Sequence, residues 1–202
     1  MKHAWWRWLV LALAALVLSG CASGYLLENN VQAFSSLPAV PANPSYRFER
    51  LPSQQNLPAQ NRLEQLADPA LYRAGLKRDD AAPQYSVLVS ARVQRTLSPW
   101  ADPWEWGGGW GGGVGPWGPG WGGGFGHFPR MEQPWFQREV AVIVRELASG
   151  KVVFESRAAS DGPWLDNPTV LAAMFDAALQ GFPNTPPGVR RVNIQVGVRP
   201  AT

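Results

Sequence analysis

The chain has 202 residues, 46% of them hydrophobic, with 18 Lys and Arg against 15 Asp and Glu. That length suits one domain, and a formal charge of +3 whose arginines are scattered rather than clustered excludes the basic stripe of a nucleic-acid-binding protein. The single cysteine, Cys21, excludes a disulfide framework, and two histidines leave little for metal or nucleophilic chemistry.

The first 20 residues have the order of an export signal. Lys2 and Arg7 make a basic start, an apolar run extends from Leu9 to Leu18, and Ser19 and Gly20 are small. The run is short for a membrane span, which needs roughly 20 apolar residues. Leu18-Ser19-Gly20-Cys21 resembles the lipobox of bacterial lipoproteins, which implies that Cys21 is acylated and becomes the first residue after cleavage. Cys21 is then the lipidation site, an anchor and not a catalyst. Each buried methylene contributes about 0.8 kcal/mol, so a multiply acylated terminus holds firmly. Ala22, in place of an aspartate, implies the outer membrane and its periplasmic face. Loss of residues 1–20 removes Lys2 and Arg7 and leaves 182 residues with a formal charge of +1.

Along the remaining chain, residues 21–43 are polar and punctuated by Pro38 and Pro41, with Pro44 just beyond, and read as a tether. Residues 44–199 read as a single α+β domain. Alternation predicts strands at Tyr46 and Phe48, at Tyr85, Val87, Val89, Ala91 and Val93, and at Val140, Val142 and Val144. A turn at Ser149-Gly150 leads to a strand with Val152 and Phe154, and Val192, Ile194, Val196 and Val198 form the last. Helical spacing joins Leu63, Leu66, Ala70 and Ala74, with a fresh start expected at Asp68-Pro69, and joins Val170, Leu171, Met174, Phe175, Ala178 and Leu179 after Asn167-Pro168. The second helix should stop near Gly181. The order β-α-β-β-β-α-β predicts two layers: a five-stranded, mixed or mostly antiparallel sheet with two helices on one face.

A low-complexity insert at about 98–134 separates the second and third of these strands. Of 21 glycines, 13 fall between Gly107 and Gly126, and Trp100, Trp104, Trp106, Trp110, Trp117 and Trp121 lie in the same insert. Glycine loses the most backbone entropy on ordering, and these tryptophans follow neither a strand nor a helix period, so no packed element is expected. Tryptophan suits the membrane–water boundary, sugar stacking and protein hot spots. A passive hairpin extension, tolerated because loop closure costs little more as loops lengthen, is one expectation; among functional roles, membrane or partner contact through these six tryptophans stands ahead of glycan contact.

Catalysis finds little support. His127 lies inside the insert, with nothing to hold its ring against a nucleophile. No zinc-type ligand spacing is visible, and no metal or cofactor is expected. Asp79-Asp80 suits a turn, and Asp161 with Asp166, flanking Gly162-Pro163-Trp164-Leu165, suits a turn and a helix cap. The expected function is a noncatalytic envelope lipoprotein, an interaction or accessory module held to the membrane by its anchor, with an envelope protein or peptidoglycan as further partner. A cell-wall glycan-binding protein or hydrolase, with carboxylates converging across a cleft, is the alternative.

Gly24-Tyr25-Leu26-Leu27 after the lipobox, Tyr46-Arg47-Phe48-Glu49-Arg50-Leu51-Pro52-Ser53-Gln54-Gln55, Tyr85-Ser86-Val87, and Trp135-Phe136-Gln137-Arg138-Glu139-Val140 together resemble the DUF4136 family of bacterial lipoproteins. The resemblance spans nearly all of the chain after the signal. It implies location and fold; the family has no assigned activity, so no catalytic residue is carried over.

Overall fold

A computed structural model describes residues 24–100 and 134–197. Seven strands form one mixed sheet: β1 (Tyr25–Ser35), β2 (Ser45–Phe48), β3 (Lys77–Arg78), β4 (Tyr85–Thr96), β5 (Trp135–Glu146), β6 (Val152–Gly162) and β7 (Val189–Val196). Helix α1 (Pro58–Arg73) lies between β2 and β3, and α2 (Asn167–Leu179) between β6 and β7. The strand order is β3-β2-β4-β5-β6-β1-β7. The pairs β4/β5, β5/β6, β6/β1 and β1/β7 are antiparallel, while short β2 runs parallel to β3 and β4. The α+β class, the mixed sheet and the two helices agree with the sequence reading; the count of five strands does not.

The two additional strands are β1 and β3. β1 occupies much of the stretch expected to be a tether, and it is central, seated between β6 and β7. Leu27, Asn29, Val31 and Ala33 are its buried positions, alternating with exposed ones. Asn29 is accommodated because its side-chain amide donates to the carbonyls of Leu27 at 3.1 Å and Val192 at 3.2 Å. Two-residue β3 is too short to show a period. At the other end of the chain Val198 lies outside the described residues.

The core fills one face of the sheet. Val87, Val89, Val140, Val142, Val144, Phe154 and Ala158 point toward Val170, Met174, Phe175 and Ala178 of α2, with Ala67, Ala70 and Leu71 of α1 joining the same cluster. Arg73 of α1 bonds Asp176 of α2, its Nε donating at 3.0 Å, so the helices are tied at the surface as well as through the core. The β5–β6 connection turns at Gly150, whose φ of +69° is the left-handed conformation open to glycine.

Pro69 does not restart a helix; α1 is continuous through it. The carbonyl that loses its partner belongs to exposed Gln65 and faces water, while Ala67, Ala70 and Leu71 hold the buried side in place. Asp68 caps nothing: it accepts a short bond from the Tyr46 hydroxyl. In α2 the cap is Asp166, as its helix-cap reading expects, accepting from the Thr169 N–H at 3.4 Å, and Asn167 is the first helical residue. The helix ends at Leu179, two residues before Gly181.

Candidate functional site

β1 starts at the same end of the sheet where β4, β6 and β7 finish and β5 begins. Tyr25 pairs with Val196, Thr96 with Trp135, and Phe136 with Gly162. The chain that enters at Gly24 and the two ends of the insert, Trp100 and Pro134, therefore meet at one rim.

Aromatic side chains organise this rim. Tyr25 stacks on Trp164, with ring centroids 3.8 Å apart. Gly162 permits the approach, because a Cβ there would sit 2.7 Å from the Trp164 Nε1. Trp135 donates its Nε1 proton to Asp161 at 2.9 Å. Leu26, Glu28, Trp135, Asp161, Trp164 and Arg191 line a shallow depression of about 460 Å³.

Behind the stacked pair, Arg138 is buried on the core face. Its Nε donates to Asn167 Oδ1 at 2.9 Å, its Nη2 donates to the Trp164 carbonyl, and its guanidinium lies 4.9 Å from the Phe136 ring centroid. Burial pushes the Arg138 pKa below its ordinary value, partly offset by Tyr25. The Tyr25 hydroxyl moves upward, first by burial and then by the negative charge of Asp166. Asn167 is thus engaged by Arg138, which leaves the capping of α2 to Asp166.

The opposite face of the sheet is polar and open. Cross-strand pairing aligns Arg92, Glu139, Ala159, Asn30 and Arg191 in one row, and Gln94, Gln137 and Asp161 in the next. A depression of about 280 Å³ lies over these rows. The face offers hydrogen bonds to a ligand but no enclosed volume.

Each candidate carboxylate is committed to a local role. Asp161 accepts from Trp135, and Asp166 caps α2. Asp79 accepts from the N–H groups of Ala81 and Ala82 at 2.9 and 3.0 Å, forming the expected turn, and Asp80 pairs with Arg78 at 3.1 Å. Among the described residues no group of three His, Cys, Asp or Glu side chains could hold a metal ion, and no helix is long and apolar enough to cross a membrane.

Of the aromatic candidates, Trp100 is 86% exposed just beyond β4. Trp104, Trp106, Trp110, Trp117, Trp121, His127 and Cys21 lie outside the described residues. Sequence reasoning missed Tyr25, Trp135, Trp164 and Arg138 as a cluster. The signal available was the density of aromatic residues beside strand ends, but only the register of β1 against β6 and β7 brings Tyr25 to the others.

This arrangement defines a two-layer α+β domain in which a seven-stranded mixed sheet carries two helices on one face. The chain belongs to the DUF4136 family, described as a domain of unknown function, whose model matches residues 31–184. No curated protein matches it. Two solved structures of a PelC dodecamer from Paraburkholderia phytofirmans are similar at 10% identity, with TM-scores of 0.44 for a form carrying a point substitution and 0.46 for the other. Each match covers 75% of this chain and 94% of PelC. A PDZ domain protein from Parabacteroides distasonis is similar at 14% identity with a TM-score of 0.46, over 86% of this chain and 39% of that protein. These are distant likenesses, and nothing about assembly or partners follows from them.

Proposed function

We propose that this protein is a noncatalytic lipoprotein of the cell envelope, anchored through Cys21 to the outer membrane on its periplasmic side, and that it works as an interaction or accessory module close to the lipid surface. The observation that carries the reading is the short distance in sequence between Cys21 and the first strand residue, Tyr25. Four residues span at most about 14 Å, so an acylated Cys21 holds the sheet against the membrane rather than at the end of a long tether. The insert, with its six tryptophans, leaves the described chain at Trp100 and rejoins it at Pro134, at this same end of the sheet. The engaged carboxylates and the open polar face support a binding role over glycan hydrolysis, which needs two acids free to converge on one bond.

Fractionation of cells expressing the full chain and its Cys21→Ser variant tests the anchor. The parent should sediment with outer membranes and resist extraction by high salt, whereas Cys21→Ser should lose most of that association while keeping its circular dichroism spectrum. Retention of Cys21→Ser in salt-washed outer membranes would overturn the proposal.

A further inference from the structure

The rim at which β1 begins exposes large apolar side chains on three separate segments. Leu26 of β1 is 50% exposed, Leu97 after β4 is 65%, and Leu165 after β6 is 71%, with Trp100 at 86% beside Leu97. Trp135 and Trp164 are half-buried between these segments and share one depression with Leu26. Their rings are apolar, and their indole N–H groups suit a wet boundary.

The opposite end of the sheet also exposes apolar side chains, Phe34 and Val152. Chain geometry separates the two ends. β1 is 11 residues long, so its far end stands roughly 33 Å from Tyr25 at the usual rise per strand residue. The link from Cys21 to Tyr25 reaches at most about 14 Å. The near rim is therefore the end that the anchor holds at the surface.

The geometry points to a bilayer-docking surface made of Leu26, Leu97, Trp100 and Leu165, with Trp135 and Trp164 at the lipid–water boundary. The occupant is a phospholipid headgroup layer, and the inference rests on the anchored reading above because the anchor selects this end. Leucine side chains enter the boundary, and the tryptophans sit at headgroup level, as aromatic belts do. The sheet then stands on this rim with the turn at Ser149-Gly150 directed away from the lipid. Docking fixes the orientation of the polar sheet face, which a lipid tether alone would leave free to tumble.

Site-specific labels on the acylated full chain in phosphatidylethanolamine and phosphatidylglycerol vesicles provide the test. The thiol of an acylated Cys21 is blocked, so Leu97→Cys, Leu165→Cys and Ser149→Cys each supply one free thiol for a polarity-sensitive fluorophore. Labels at positions 97 and 165 should emit at shorter wavelength and be quenched by lipids brominated near the headgroup; the label at 149 should do neither. Water-like emission at all three positions, in protein that still floats with the vesicles, would overturn docking while leaving the anchor intact. Protein that does not float would instead refute the anchor. The same labels on the Cys21→Ser chain at high lipid then decide docking by itself: a shift confined to positions 97 and 165 supports it, and no shift overturns it.

Discussion

Tyr25 lies face to face with Trp164, the two ring planes only 14° from parallel. The stack joins the first residue of β1 to the connection between β6 and α2. It thereby holds the point where the chain enters the sheet to the loop that positions Arg138 and the start of α2. Trp164→Ala should cost about 1 to 3 kcal/mol, combining lost apolar burial with the extra 0.5–1.5 kcal/mol typical of an aromatic pair. Gly162→Ala should weaken the same stack by pushing the indole away, since a Cβ would meet its nitrogen at 2.7 Å. Urea unfolding with near-ultraviolet circular dichroism measures both effects. Wild-type stability in both variants would show that the stack contributes nothing to the fold.

Tyr46 predicts a loss of stability in alkali. Burial is the main reason its pKa lies well above the ordinary tyrosine value, and the hydroxyl proton it donates to Asp68 adds to the shift. An unfolded tyrosine ionises near pH 10, whereas the folded state keeps the proton. The stabilisation is therefore complete below about pH 10 and declines above it at up to about 1.4 kcal/mol per pH unit. It is gone once pH exceeds the folded pKa. Tyr25 and Tyr85 are shifted in the same direction, both chiefly by burial. Unfolding free energies from pH 8 to 11 should fall less steeply in Tyr46→Phe than in the parent, and equal slopes would refute the assignment.

Strands with valine at every second position were readable because period and chemistry agreed, as in Val140, Val142 and Val144. β1 was hidden because one of its inward positions is Asn29, whose satisfaction depends on the carbonyl of Val192 on a strand distant in sequence. A local window has no access to that bond. Pro38, Pro41 and Pro44, which follow β1, extend the tether reading over the strand. At the rim the tryptophans were conspicuous in the sequence, but their company was not. Tyr25 meets Trp164, and Trp135 meets Asp161, only through strand register.

Pro69 allows the two readings of α1 to be compared directly. Within a continuous helix, Pro69→Ala restores an N–H donor for the Gln65 carbonyl and removes a ring that costs about 3 kcal/mol in a helix interior. The site is exposed, and the variant loses the entropic restriction that proline places on the unfolded chain, worth about 1 kcal/mol. A net gain of about 1 to 2 kcal/mol is expected from the difference. Had Asp68-Pro69 opened a separate helix, the same substitution would lower stability, because proline is favoured at a first helical position. The sign of the change in urea midpoint distinguishes the two.

The insert should be separable from the stability of the domain. β4 and β5 pair without interruption from Tyr85 opposite Glu146 to Thr96 opposite Trp135, so the hairpin is complete before the insert begins. Replacing residues 98–133 with a five-residue glycine-containing turn shortens the loop about sevenfold and should stabilise the hairpin by up to about 2 kcal/mol through loop closure. Thermal unfolding of the full chain and of the shortened form gives the comparison. A large fall in melting temperature would mean that the insert packs on the domain. The same shortened form tests what the tryptophans contribute at the membrane. Leu26, Leu97, Leu165, Trp135 and Trp164 remain, so weaker docking with the fold intact would assign the difference to Trp100 and the rest of the insert, whereas unchanged docking would assign it to the rim that β1, β4, β5 and β6 build.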